Sequence, residues 1–323
     1  MSASKIHSKT LVNTDQTVSE ALGKILHHNF DYLLQWQEAA RSWENIEGVH
    51  QMRVALRRMR SALSSFRSAV PKTVAADWYA ELGWLASQLG MARDLDVFIS
   101  EGLGAVHGKL PLPGEEKLLT LAEARRAEAY KTVVAMLDSE RYAQFKLNFL
   151  AWVVARGWEK AELPKKNRQR LSQPIQLFAR QQLDRLEGRV LAAGGTVDRN
   201  SAEQMHRLRI ECKKLRYGAE FFMTVIRGLD EFIDHMRGLQ DLLGILNDVA
   251  VMKHLLAHVL QDQGDSEVMQ YAGGLVGWRT CQYYDLLITF DARWKEFVSA
   301  KRSWWTKDEK RQASTSEGLG PHS

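Results

Sequence analysis

Apolar residues recur three and four positions apart along most of this chain, the signature of helices with one buried face. No alternation of strand period and useful length interrupts that pattern. The clearest stripe lies in residues 49–66, VHQMRVALRRMRSALSSF, where Val49, Met52, Leu56, Met59, Leu63 and Phe66 form one seam. One residue further round, His50, Arg53, Arg57 and Arg60 repeat the same spacing. The two sets stand about 100° apart on one helix, so a cationic rail roughly 15 Å long runs beside a core seam. No acidic residue lies between Glu47 and Asp77, which leaves the rail without local compensation.

The rail occurs twice. From Met205 the chain reads MHRLRIECKKLRYGAEFF, and His206, Arg209, Lys213 and Arg216 follow their counterparts by 156 positions. A second pair of segments matches at a separation of 154: LASQLGMARDLDV at 85–97 and LQDLLGILNDVAV at 239–251. A weaker third match sets Arg125 against Arg279, again 154 apart. This period is too long for a solenoid and fits duplication of a domain-sized unit. The expected fold is all-α: two antiparallel helical bundles of about four helices each, related by an internal pseudo-two-fold axis.

Start and stop signals give the order of elements. Residues 1–13 are polar and expected to be loose. Thr17-Val18-Ser19-Glu20 has the form of a capping box and opens a helix to about Trp43. Gly48 precedes the first rail helix, and Pro71 ends it. Another helix spans about 75–90, where Gly90 breaks it and Asp94 and Asp96 open a short successor. Gly244 and Asp248 are expected to do the same in the second half. PLPG at 111–114 is a loop, followed by helices over about 115–137 and 139–158. The charged, proline-containing stretch 159–171 reads as a linker between a first bundle at 14–158 and a second at 172–305. Pro174 suits the first turn of a helix running to about Ala193, and Asn200 to Glu203 cap the second rail helix. Further helices are predicted over about 230–244, 247–263 and 266–301, with a flexible tail at 306–323.

Composition narrows the chemistry. The 323 residues include 45% hydrophobic and 26% charged ones, as in an ordinary globular protein. The net charge of +5 is modest, but it is concentrated on the rails, which favours an anionic partner such as nucleic acid, a membrane surface or a phosphate polymer. Two cysteines, Cys212 and Cys281, supply neither a disulfide framework nor a metal-knuckle spacing, and a reducing compartment is the simplest expectation. No signal-peptide core and no run of roughly 18 apolar residues is evident, so a cytoplasmic protein without membrane association is expected.

A single basic helix face is usually just solvated surface. Two rails of four, each opening on histidine and each beside a core seam, point instead to a shared groove whose converging cations need an anion. For His50 and His206 three roles are open: structural hydrogen bonding, anion contact, or metal ligation together with Asp94, Asp96 or Asp248. Arg53 and Arg209, one turn away, disfavour a bound cation, and neither histidine has a metal-type spacing.

At these residues the chain resembles the conserved-histidine α-helical domain (CHAD) family. The resemblance rests on the two helices VHQMRVALRRMR and MHRLRIECKKLRY, the turns LGMARDLD and LGILND, and the later Arg125 and Arg279; it covers about residues 14–300. It implies two four-helix halves around a basic channel that binds inorganic polyphosphate, and association of family members with polyphosphate granules. Carried over, it implicates His50, Arg53, Arg57, Arg60, His206, Arg209, Lys213 and Arg216, then Arg125 and Arg279. The direction of Arg58, Arg93 and Lys214 is left open, and Asn247 opposite Arg93 breaks the symmetry. Some members carry a triphosphate-tunnel domain with hydrolytic activity; no segment here resembles one.

The expected function is therefore non-catalytic polyphosphate binding, without metal or cofactor. The alternatives are a nucleic-acid-binding protein, supported by the charge and ten tryptophans, and, further off, a metal-dependent phosphohydrolase. The rails contain only one carboxylate, Glu211, where a hydrolase needs several around its metal.

Overall fold

The structure, a computed structural model, describes residues 12–261 and 263–305. Among these residues it contains thirteen α-helices and one π-helical segment, and no strand apart from a single bridge between Thr17 and Pro174. α1 (Val18–Gln35) opens on the expected capping box: the Glu20 amide donates to the Thr17 hydroxyl, and the Thr17 amide to the Glu20 carboxylate at 3.0 Å. Leu22, Ile25, Leu26 and Leu33 are buried along it. Trp36 separates it from the short α2 (Gln37–Ser42).

α3 (Glu47–Ser65) is the first rail helix. Its seam is buried as the periodicity requires, with Val49, Met52, Leu56 and Met59 no more than 1% exposed. Gly48 lies inside this helix rather than before it. A Cβ there would strike the backbone of Ala39 and Ala40, so glycine is what lets α2 lie directly on α3. α4 (Ala76–Gln88) and α5 (Gly90–Val97) follow, then the π-helical segment Phe98–Leu103, α6 (Glu115–Asp138) and α7 (Glu140–Val154).

The second half of the chain carries α10 (Ile175–Gly195), the second rail helix α11 (Ala202–Phe222), α12 (Leu229–Val259) and α13 (Ser266–Ser299). Ser201 caps α11 by accepting the Gln204 amide. These helices pack in sequence, α10 on α11, α11 on α12 and α12 on α13, while α3 packs against α11. By length and composition α12 is apolar enough to cross a membrane. Here Phe232, Ile233, Met236, Leu239, Leu243 and Leu246 are buried in the core.

Further expectations differ from the structure. α4 does end beside Gly90, at Gln88, but Asp94 and Asp96 do not open the next helix: α5 begins at Gly90 and both lie within it. Gly244 ends nothing; α12 runs unbroken from Leu229 to Val259, so Asp248 is no cap either. A glycine inside a helix costs about 1 kcal/mol, and burial of one leucine is worth about 1.5–3 kcal/mol, so the core outweighs the break. The stretch 159–171, read as a linker, is helical over much of its length. After the short α8 (Gly157–Lys160), α9 (Lys165–Ser172) is held by Asn167 and Arg170, which donate to the carbonyls of Ser68 and Ala69. Finally, Val12 is fully buried and accepts a hydrogen bond from the Thr224 hydroxyl, so ordered chain begins earlier than residue 14. Residues 1–11 and the expected flexible tail at 306–323 lie outside the described residues.

Candidate functional site

α3 and α11 meet at their basic sides, and α5, the π-helical segment, α12 and α13 close the space beside them. The result is a cavity of about 500 Å³. Six of the ten residues singled out from the sequence line it: Arg53 and Arg57 from α3, His206, Arg209 and Lys213 from α11, and Arg279 from α13. Val97, Phe98, Val251, Met252 and Leu255 supply an apolar wall.

The other four do not line it. His50 sits one turn before Arg53, half-buried. Burial first, then the charges of Arg93, Arg57 and Arg53, pull it down to about 4, so the ring is neutral at neutral pH. Arg60 turns towards α4, its guanidinium 4.6 Å from the Tyr79 ring centre. Arg216 lies 3.7 Å from the Glu220 carboxylate on its own helix. Arg125, on α6, donates to the carbonyl of Gln261 at 3.4 Å, beyond the end of α12. A helical spacing of three and four covers a broad arc, and neighbouring helices claim the ends of each rail.

The three undecided cations are also placed. Arg58 is buried, 3.2 Å from the Glu220 carboxylate, and forms part of the α3–α11 packing. Lys214 pairs with Glu211 one turn earlier. Arg93 is absent from the cavity lining, although its charge bears on His50, Arg53 and Asp94.

Two of the lining arginines are anchored. Arg53 donates to the Ala86 carbonyl at 3.0 Å, and Arg279 to the carbonyls of Glu101 and Gly102 and to the Gln282 side chain. His206 shares a 2.8 Å hydrogen bond with the Asn247 side-chain oxygen; with that oxygen accepting, Nδ1 carries the proton and Nε2 is left for another partner. Among the described residues, Arg53, Arg57, Arg209, Lys213 and Arg279 form no ion pair.

Their crowding shows in the titration of the site. Lys213 is pulled down to about 7 by burial and then by Arg209, Arg57 and Arg216, with Asp248 opposing. Burial also lowers Arg53 and Arg209, with neighbouring Arg57 adding to it. Each of these charges is destabilised where it stands, and an anion among them would relieve all of them at once.

Sequence reasoning weighed Asp94 and Asp248 only as helix openers or metal ligands, and did not single out Glu101. All three line the cavity too, so the rails face carboxylates that come from other elements. Burial raises Asp94, partly offset by Arg53 and Arg93, and the charge of Asp248 adds to the rise. The signal was present: Asp94 and Asp248 occupy matching places in the second repeated segment, 154 positions apart. The side chains recorded here contain no cluster of three or more His, Cys, Asp or Glu able to hold a metal among the described residues.

The fold and the site together define an all-helical protein with a cation-lined cavity between its two basic helices. Residues 24–257 match the CHAD domain family, and the chain belongs to it. It is 25% identical to the CHAD domain of the plant Ricinus communis, whose crystal structure superposes with a TM-score of 0.78 over 90% of this chain and 95% of that one. PptA from Streptomyces chartreusis shares the fold at 15% identity, with a TM-score of 0.64 over 87% of this chain and all of the other. Two uncharacterised proteins from strains of Mycobacterium tuberculosis are 27% identical over 258 residues. That match covers 77% of this chain and 48% of each relative, so the chain spans about half the length of the curated relatives it matches.

Proposed function

We propose that the cavity binds inorganic polyphosphate without chemical conversion. The observation that carries this reading is the convergence of Arg53, Arg57, Arg209, Lys213 and Arg279 on one space with no ion pair among them. Planar guanidinium forks match pairs of phosphate oxygens, and Lys213 adds a point charge that an anion would stabilise. Asp94, Asp248 and Glu101 also line the cavity; they repel a polyanion and so favour a path for the chain along the arginine side. A volume of about 500 Å³ suits a single-file polymer rather than a duplex, which ranks nucleic acid second. Association with polyphosphate granules in the cytoplasm follows from the same reading.

Titration with polyphosphate of defined length tests it, comparing wild type with Arg57→Ala/Arg209→Ala/Lys213→Ala. Loss of three charged contacts predicts at least about a hundredfold weaker binding; unchanged affinity in a folded variant refutes the site. Competition against DNA and RNA separates the polymers, since salt dependence alone does not. Incubation with polyphosphate and magnesium or manganese is expected to release no phosphate. Steady turnover would overturn the non-catalytic reading.

A further inference from the structure

A second group of cations lies on a different part of the molecule. Arg170 comes from α9, Arg185 and Arg189 from α10, and Arg67 from the turn after α3. Arg170 donates to the Ser68 carbonyl at 3.0 Å, which fixes α9 beside the end of α3. Arg185 is held below its ordinary value by burial first, then by the charges of Arg189, Arg67 and Arg170. No carboxylate offsets this, and among the described residues none of the four arginines belongs to an ion pair. The helix that presents Arg170 reads KKNRQRLS, with no acidic residue.

Between these groups is a separate pocket of about 150 Å³, lined by Ser68, Arg170, Phe178, Gln181, Gln182 and Arg185. Gln182 is 3% exposed. Its side-chain oxygen accepts from Arg185 at 2.8 Å, which fixes the orientation of the amide. Its Nε2 is consequently a buried donor without a partner, and Arg185 Nε is another. Unpartnered buried donors are rare in folded proteins and call for a specific explanation. Here they accompany two arginines, Arg170 and Arg185, that line a pocket less than a third the volume of the first, with the charges of Arg67 and Arg189 bearing on Arg185.

We propose that this pocket is a second anion site, built for one tetrahedral phosphate-type group gripped by Arg170 and Arg185. Arg67 and Arg189 supply the surrounding positive field, and the Gln182 amide holds the Arg185 fork in place. The group is either free orthophosphate or the end phosphate of a longer chain; both present the same oxygens. The assignment is independent of what fills the larger cavity.

Crystals soaked in selenate, a tetrahedral dianion with an anomalous signal, test the pocket directly. The expected result is a peak between Arg170 and Arg185; an empty pocket beside an occupied larger cavity overturns the proposal. In solution, thermal stabilisation by orthophosphate is followed for wild type and for Arg170→Gln/Arg185→Gln. The part of the response that remains in Arg57→Ala/Arg209→Ala/Lys213→Ala, where the larger cavity is disabled, is expected to be lost when Arg170→Gln/Arg185→Gln is added to it; an unchanged response on that addition counts against the site. Tripolyphosphate distinguishes the sources. An affinity at least about tenfold weaker in Arg170→Gln/Arg185→Gln assigns a chain end, as loss of one or two charge-assisted hydrogen bonds implies; unchanged affinity with a lost orthophosphate response assigns the free ion. Should the double variant fail to fold, the selenate map decides.

Discussion

The guanidinium of Arg57 stands 5.6 Å from the ring centre of Tyr217, across the contact between the two basic helices. Its neighbour in sequence, Arg58, points about 100° away and is buried against Glu220 on the same partner helix, at 3.2 Å. One arginine therefore faces the cavity while the next locks the interface that forms it. Removing either partner of a buried pair strands the other charge, so the Arg58–Glu220 pair holds the two rail helices in the relation that brings Arg57 near Arg209 and Lys213.

The rail positions are not equivalent, and substitution should reveal it. Arg209→Ala is expected to weaken polyphosphate binding at least about tenfold, the loss of one charge-assisted contact. Arg60→Ala, which removes a guanidinium resting on Tyr79, should leave affinity within about twofold, since its residual effect is long-range and screened. Calorimetric titration of the two variants checks the order; equal losses would mean that the whole rail engages the ligand.

Carboxylates in the cavity oppose an anion. Asp248→Asn removes one whose charge bears on Lys213, Arg209 and Asp94. At pH 6, where Lys213 is protonated in any case, polyphosphate affinity should rise about two- to fivefold, as loss of one partly screened repulsion implies. A fall in affinity would give Asp248 a positive role in holding the ligand.

Binding should depend on pH through Lys213. In the free protein this amine is held at about 7, below its usual 10.5, and a bound polyanion raises it again. Binding above pH 7 therefore takes up a proton, so affinity falls as pH rises from 7 towards 9 and is flat in this respect below 7. The sign for stability is the reverse. With the folded value lowered, the unfolded chain holds the proton more tightly, so this group's destabilising contribution is full below pH 7 and fades between 7 and 10.5. Titrations at three pH values, repeated with Lys213→Met, isolate the effect; an identical slope in the variant removes Lys213 as its source.

Gly244 provides a test of the continuous α12. A Cβ there meets nothing within 4 Å, and the residue is helical. Gly244→Ala should stabilise the protein by about 0.5–1 kcal/mol through helix propensity alone, seen as a higher midpoint in urea. Destabilisation would indicate that the helix needs a break at this position.

Much of the fold was legible in the chain because helices are local. The three-and-four spacing of Val49 to Phe66 marked a buried seam, the Thr17–Glu20 box marked a start, and the burial and hydrogen bonds of both agree. Errors arose where distant packing outweighed a local signal. Gly244 looked like a stop, yet buried leucines on either side of it keep α12 helical. Pro164 and the charge of 159–171 marked a linker but gave no sign of its docking: α9 is held through Asn167 and Arg170 on carbonyls about a hundred residues away.

The same division applies to the site. From the sequence alone came the helical class, the two basic faces and six of the cavity's lining residues: five because charge at a helical spacing falls along one side of a helix, and Arg279 through its place in the repeat. Only the tertiary structure decided that Arg60, Arg216, Arg125 and His50 stand apart from the cavity and that Asp94, Asp248 and Glu101 enter it. Which neighbour occupies the space in front of a side chain is set by how helices cross, and no local period encodes that.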